Sequence, residues 1–246
     1  MLVIPRFFRV NPSLRQFKFL LQNLSTYARN PYNRIVNLLK ELHPSAVVDV
    51  GANVGQFGID LRRNGYEGRI CSFEPIPSIF DDLINTSKHF QPWDCHNFGI
   101  GDDNLELEIN VSRNDALSSS FLPMNPKHRE YFPGSDFIKT EIASVKTLDS
   151  ILPHLNLDLS RTLLKIDAQG FESKVIRGAN RSLKFIPFCF LEVSLIQMYE
   201  GESSLIQILN QLSAYGHEVI DIYPGSSDSN GTLIQFDFLT SKFSGT

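Results

Sequence analysis

The sequence predicts an α/β protein built on an open, doubly wound, mostly parallel sheet. Three observations carry that expectation. Short, continuously apolar runs ("AVVDV", "RICSF", "TLLKI", "FCFLEV") alternate with amphipathic helical stretches, the order that parallel strands and crossover helices produce. The run "VVDVGANVGQFG" passes from an apolar strand through a glycine-containing turn into a helical pattern. Of 246 residues, 42% are apolar and 20% charged, the composition of a globular chain with a sizeable core.

Taken in order, the chain opens with two predicted helices. "NPSLRQFKFLLQNL" places Leu14, Phe17, Leu21 and Leu24 on one face, with Asn11 as cap and Pro12 in the first turn. "NPYNRIVNLLKEL" repeats the Asn-Pro start and stripes Ile35, Leu38, Leu39 and Leu42. Residues 1–44 are therefore expected to form an N-terminal helical segment, and residues 45–246 the α/β domain. There, "AVVDV" is a strand, Gln56 to Asn64 a helix, "RICSFE" a strand, and Pro77 to Ser87 a helix; "DCHNFGI" holds the third strand. The rhythm breaks between Gly101 and Thr147. "LELEINVS" and "EIASVKTLD" alternate with period two, as half-exposed antiparallel strands do, and enclose a polar loop from Arg113 to Lys139. An inserted β-hairpin is expected, its loop acting as a mobile lid. Alternation then resumes with "TLLKID", a helix from about Phe171 to Leu183, "FCFLEVS", and a helix from Ser203 to Ala214. "HEVIDIY" and "TLIQFDFLT" close the chain as a hairpin, so one C-terminal strand runs antiparallel to the rest.

Composition narrows the function. The balance of 23 basic against 27 acidic residues provides no global field for nucleic acid, and no nucleic-acid partner is expected. Before Glu41, however, Arg6, Arg9, Arg15, Lys18, Arg29, Arg34 and Lys40 stand without any acid. That stretch reads as a solvated helical face, or as a docking surface for an acidic partner or membrane headgroups. No apolar run nears the roughly 20 residues of a membrane span, and "MLVIPRFFRV" lacks the apolar centre of an export signal. Cys71, Cys95 and Cys189 are far apart and read as free thiols, so a cytoplasmic protein is expected.

In a doubly wound sheet the ligand lies where the first strand turns into its helix. Gly51 and Gly55 are expected to let backbone amides approach it. A pyrophosphate-binding turn wants a second glycine where this chain has Asn53, which leaves room for a smaller ligand with polar groups of its own. Glu74, in "FEP", ends the second strand 25 residues after Asp49, where an acid bonds both hydroxyls of a ribose. Two strand-end acids suit a positively charged nucleoside, and S-adenosylmethionine has that chemistry. Asp49 is the acid expected to attract the ammonium of its amino-acid tail.

The runs "DVGANVGQFG", "SFEPIPSIFDDL", "HNFGIGDDNLELEI", "SSSFLP", "VKTLDSIL", "LLKIDAQGFESKVIRGA" and "FLEVS" follow one another over roughly residues 45–225. In them the chain resembles the FkbM family of methyltransferases. The resemblance implies a Rossmann-like class I methyltransferase fold and methyl transfer from S-adenosylmethionine to a hydroxyl of a small-molecule, sugar or glycan acceptor. It implies that Asp49, Gly51, Asn53, Gly55 and Phe57 form the cofactor loop, that Glu74 binds ribose, and that Asn97 meets the adenine edge, with Asp102 as a competing choice. Ser119 and Ser120 are candidates to touch ligand.

Methyl transfer to oxygen needs alignment and a group that helps remove the hydroxyl proton. Asp167, ending the fourth parallel strand, and Glu192, near the end of the fifth, are the candidate catalytic acids. Asp167 can alternatively fix its own loop by accepting backbone N–H bonds, and Glu192 can form an ion pair with a neighbouring base. Glu172, in the first turn of the next helix, reads as structural. His128 is read as an exposed loop histidine, with the role of base as its alternative. The histidines are scattered and no metal is expected. Two other readings share these features: a nicotinamide-dependent oxidoreductase, which wants the fuller glycine pattern, and a non-catalytic S-adenosylmethionine-binding module.

Overall fold

The computed structural model describes residues 35–37, 39–40 and 46–242. The first expected helix and the expected boundary at residues 44 and 45 lie outside the described residues. Of the second helix, residues 35–37 and 39–40 are helical. Val36, absent from the expected stripe, is buried there beside Ile35 and Leu39.

Four parallel strands dominate the centre of a seven-stranded sheet: β1 (Ala46–Val50), β2 (Arg69–Phe73), β7 (Thr162–Ile166) and β8 (Phe188–Ser194). β3 (Trp93–His96) extends one side, and β10 (Gln235–Lys242) and β9 (His217–Pro224) the other, giving the order β3-β2-β1-β7-β8-β10-β9. β10 pairs antiparallel with both β8 and β9, so the expected terminal hairpin supplies the one reversed strand. The fold is α/β, of the Rossmann-like class I methyltransferase type. Order reverses between β1 and β7, which places the ligand-binding crevice at their carboxyl ends.

Side-chain alternation sorts the strands onto two cores. Val48, Val50, Leu164 and Ile166 face one core, packed by α5 (Glu172–Gly178) and α6 (Leu205–Ser213). Val47, Leu163 and Ile70 face the other, packed by α1 (Gln56–Arg63), α2 (Pro77–Ser87) and the helical residues near Ile35. Both faces being covered explains why β1 is buried at all five positions. The same parity puts Ser72, Asp49 and Lys165 in register on the second face, a polar row inside otherwise apolar strands. α2 begins and ends where the sequence predicts, with Pro77 at its first turn. α4 (Leu148–Ile151) is a single turn, and α5 is shorter than expected, its pattern continuing into a 3-10 turn at Ser182–Lys184.

The insertion forms its own three-stranded sheet. β5 (Leu105–Ser112) and β6 (Phe137–Lys146) are the expected antiparallel pair, and β4 (Gly99–Ile100) adds parallel to β6. The segment between β5 and β6 is not the free lid that its composition suggests. Ser120 bridges Asn110, Met124 bridges Tyr199, and the short helix α3 (Pro126–Tyr131) starts on an Asn125 cap. Tyr131, Phe132 and Phe137 pack with Met198, Tyr199 and Ile234 in a satellite core, which fastens the segment to the main sheet.

Candidate active site

A cavity of about 370 Å³ opens over the carboxyl ends of β1, β2, β7 and β8 and the start of β10. Antiparallel β10 meets this crevice with its beginning rather than its end, and so delivers Asp237 opposite Glu192. The cavity is two-sided. Pro75, Ile76, Ile100, Ile109 and Phe121 make an apolar wall, while Glu74, Asp167, Glu192 and Asp237 supply carboxyl groups against a single lysine, Lys165.

The turn after β1 is held by backbone geometry. Gly51 sits at φ 72, and a Cβ there would lie 1.8 Å from the Asp167 carbonyl oxygen. Its glycine therefore permits the close approach of the β1 and β7 ends, a need distinct from the expected approach to ligand. Asn53 occupies the left-handed region at φ 48, which asparagine tolerates. Its Oδ1 accepts from Val54 N at 2.7 Å and its Nδ2 donates to the Asp115 carbonyl at 3.1 Å, tying the turn to the insertion. Gly55, at φ 93, caps α1 and packs on Leu83 and Trp93 outside the cavity wall. Phe57 lines the cavity and stacks on Phe190, ring centroids 5.7 Å apart.

Glu74 faces the cavity and is 5% exposed. Its Oε2 accepts from Asn53 N and its Oε1 from Ile76 N, both at 2.9 Å. Burial pushes its carboxyl up to about 7, although the two N–H bonds and Lys165 pull the other way. Each oxygen keeps a second lone pair for a ligand hydroxyl.

Asp49 corrects the expectation for the cofactor's ammonium. It is fully buried and does not line the cavity. Its Oδ2 accepts from Ser72 Oγ at 2.9 Å, and its Oδ1 faces Lys165 Nζ at 3.1 Å. Burial opposes the charge on Lys165, but Asp49 and Asp167 outweigh it and hold the ammonium above the ordinary lysine range. Lys165 also donates to the Gly51 carbonyl at 3.0 Å. Asp49 is thus the counter-ion that fixes Lys165 beneath the turn. Asn97 is exposed and not itself in the cavity wall; its Nδ2 donates to the carbonyls of Glu74 and Pro75, which are, at 2.9 and 3.3 Å. Asp102 is engaged by Lys174 and Arg177 on the surface.

The two expected catalytic acids do meet. Asp167, one-third exposed, lies 3.6 Å from Lys165 Nζ. Gln169 Nε2 bridges Asp167 Oδ1 and Glu192 Oε2, 2.8 Å from each. Burial first, then the carboxyls of Asp167 and Asp237, push Glu192 well above the ordinary carboxyl range. Asp237 is pushed up to about 7, mainly by burial. The loop-fixing role, the alternative reading of Asp167, belongs to Glu172, whose Oε1 accepts from Ala168 N and Gly170 N at 3.0 and 3.1 Å. Among the described residues, no group of three or more His, Cys, Asp or Glu side chains is arranged to hold a metal ion.

His128 overturns its reading as an exposed histidine. It is 1% exposed, with Nδ1 2.9 Å from Ser135 Oγ and Nε2 3.2 Å from the Tyr199 hydroxyl. Ser119 and Ser120 both line the cavity, and Ser120 Oγ donates to the Gln169 carbonyl at 2.7 Å. Sequence reasoning missed Lys165, Gln169, Tyr199 and Asp237. A signal existed for two of them: Lys165 and Asp237 are charged residues interrupting apolar strands, which a buried strand tolerates only with a partner or a ligand.

Known proteins provide the context for this geometry. Residues 49–219 match the family model described as the methyltransferase FkbM domain. The chain is 26% identical over 203 residues to the 2-O-methyltransferase NoeI of Sinorhizobium fredii, a match covering 78% of this chain and 80% of that protein. Among solved structures, it is similar to magnesium protoporphyrin IX methyltransferase from Synechocystis with bound SAM, at TM-score 0.46 and 10% identity over 96% of this chain and 86% of that one. TehB from Haemophilus influenzae is similar at TM-score 0.45 and 12% identity, over 92% and 67% of the two chains. With its matching region extending from the β1 turn to β9, the chain belongs to the FkbM family of methyltransferases.

Proposed function

We propose that this protein transfers a methyl group from S-adenosylmethionine to a hydroxyl oxygen of a sugar, glycan or other small-molecule acceptor. The observation that carries the reading is the charge of the cavity at the β1–β7 switch point: four carboxyl groups and one lysine already committed to Asp49. Such a wall attracts a sulfonium and an ammonium and offers a pyrophosphate no free cation among the described residues, which favours the cationic nucleoside over a nicotinamide dinucleotide. The similarity to an enzyme named 2-O-methyltransferase supports oxygen as the acceptor atom.

The residues present fit that cofactor. Glu74 has lone pairs left for the two ribose hydroxyls, and the apolar wall by Ile76, Ile100 and Phe121 is of the kind that covers an adenine. Asp237 and Glu192 take over the attraction to the amino-acid tail expected of Asp49. When bound, the sulfonium supplies an electrophilic methyl group. Asp167, the more open acid of the bridged pair, accepts the proton of the acceptor hydroxyl, held in place beside Glu192 by the Gln169 amide. The free thiols Cys71, Cys95 and Cys189 are compatible with a reducing, cytoplasmic setting. Among the described residues, no helix is long and apolar enough to cross a membrane. Peripheral contact through the basic N-terminal segment is part of the same proposal.

Thermal melting with S-adenosylhomocysteine, set against NAD, tests the cofactor, because a ligand binding only the folded state raises its melting temperature. Transfer of labelled methyl from S-adenosylmethionine to a panel of neutral glycosides then tests the acceptor. Stabilisation by S-adenosylhomocysteine without transfer to any hydroxyl would favour a binding module, and stabilisation by NAD alone an oxidoreductase.

A further inference from the structure

The acid pair is approached from the insertion by an unbroken series of hydrogen bonds. Ser135 Oγ lies 2.9 Å from His128 Nδ1, His128 Nε2 lies 3.2 Å from the Tyr199 hydroxyl, and that hydroxyl lies 2.8 Å from Gln169 Oε1. Gln169 Nε2 then reaches both Asp167 and Glu192 at 2.8 Å. The direction of each bond follows from chemistry. The Tyr199 hydroxyl has one hydrogen and two carbonyl acceptors beside it, Gln169 Oε1 and, at 3.1 Å, the Ser118 carbonyl. Its hydrogen goes to Gln169 Oε1, the nearer of the two, so the bond with His128 comes from the ring N–H. Burial lowers the His128 pKa and, together with the surrounding carboxylates, raises that of Tyr199, so the ring is neutral and the phenol keeps its hydrogen. A neutral ring with hydrogen on Nε2 accepts at Nδ1 from Ser135. Every bond therefore donates toward the acids, from Ser135 to His128 to Tyr199 to Gln169.

Gln169 is pinned on every side. Its backbone is left-handed at φ 50, its carbonyl accepts from Ser120, and its amide oxygen is claimed by Tyr199. With the oxygen claimed, only the amide's NH2 can face the carboxyls. Without Tyr199 the amide is free to rotate by half a turn and bring its oxygen against them.

We propose that Tyr199 and His128 are positioning residues that act through the Gln169 amide to keep the Asp167–Glu192 pair supplied with two N–H donors, so that a part of the insertion sets how the two acids are held. The proposal rests on the reading of Asp167 as the acid that accepts the acceptor's proton. Donors directed at a carboxylate favour its charged form. Removing them takes away the bridge between the two acids. The other charged groups facing the pair and Tyr199 are Lys165 from β7, Asp237 from β10, Glu172 from α5 and Glu202 ahead of α6, and all are retained in the variants below.

Carboxyl 13C NMR of the full chain at one fixed pH, with Asp167→Asn and Glu192→Gln to assign the two resonances, reads the effect without any acceptor. In Tyr199→Phe and in His128→Leu both carboxyl resonances are expected to move from their parental positions as the bridging N–H donors are lost. His128→Gln, whose amide can again donate to Tyr199, is expected to recover at least half of the displacement. Gln169→Asn tolerates the left-handed backbone but is too short to bridge the acids, and reproduces the displacement if either of the first two variants fails to fold. A merely structural role would lower the melting temperature and leave both resonances in place. Unchanged resonances in the folded variants overturn the proposal. The reading of Asp167 as base fails separately, if Asp167→Asn keeps the parental methyl-transfer rate whatever the resonances show.

Discussion

Two turns face each other across the mouth of the sheet, and a buried glutamate holds each of them. After β1, Glu74 arrives from the neighbouring strand and accepts from Asn53 N and Ile76 N. After β7, Glu172 arrives from the next helix and accepts from Ala168 N and Gly170 N. Both turns contain a non-glycine residue in the left-handed region, Asn53 and Gln169, and burial raises both carboxyls, to about 7 and about 8. They differ in what else the carboxyl sees. Glu74 lines the cavity, and Glu172 does not. Long-range origin and an open face add, in the proposed function, a ligand to the turn that Glu74 holds, where local Glu172 holds a turn alone.

The comparison breaks most completely where the two turns touch. Gly51→Ala puts a methyl against the Asp167 carbonyl and a side chain at φ 72, so a loss of more than about 3 kcal/mol is expected, read as failure to obtain folded chain or a collapse of the melting temperature. Ordinary folding of that variant would show that the turns do not meet as described.

Removing the glutamates sharpens the contrast. Glu172 lies off the cavity, so Glu172→Ala leaves Ala168 N and Gly170 N without their acceptor and a void behind the turn, and is expected to cost about 2–4 kcal/mol in denaturant unfolding. Glu74 lines the cavity, so Glu74→Ala frees Asn53 N and Ile76 N but adds to a space already there, and about 1–2 kcal/mol is expected. Equal losses would place both residues in the same environment.

The smallest effect concerns pH. A carboxyl raised to about 7 is neutral below that value and charged above it, and Glu74 and Asp237 both face the cavity. The attraction for a sulfonium therefore grows as pH rises from 6 to 8. The affinity of S-adenosylmethionine relative to S-adenosylhomocysteine, which has the same ammonium but no sulfonium charge, is expected to rise roughly three- to tenfold over that range in parallel calorimetric titrations. A flat ratio would remove the cavity carboxyls from cofactor selection.

What the sequence made legible follows from where its signals come from. β1, α1, β2 and α2 are local features: a short apolar run, a glycine turn, a proline at a helix start. Their expected bounds fall within one residue of those observed between Ala46 and Ser87. The site was legible where a side chain stands at a strand end, as with Glu74, Asp167 and Glu192. It was not legible where partners decide the role. Asp49 reads as a ligand-facing acid until strand register sets it beside Lys165 and Ser72. His128 lies in "NPKHREY", a polar helix of six residues, too short for periodicity to say which face is buried. Asp237 reaches the cavity because its strand is reversed, and no motif marks that. The fixing of the insertion depends on contacts with Met198 and Tyr199, more than seventy residues along the chain from Met124 and Ser118.

The most direct test of the account is calorimetric titration of S-adenosylhomocysteine into three proteins: the parent, Glu172→Ala and Glu74→Ala, each at a temperature where it is folded. One-to-one binding is expected in the parent, within about threefold of that affinity in Glu172→Ala, and about 100-fold weaker or undetectable binding in Glu74→Ala, which loses the hydrogen bonds to the ribose hydroxyls. No binding to the parent, or the same affinity in all three, would contradict the assignment of this cavity to the cofactor through Glu74.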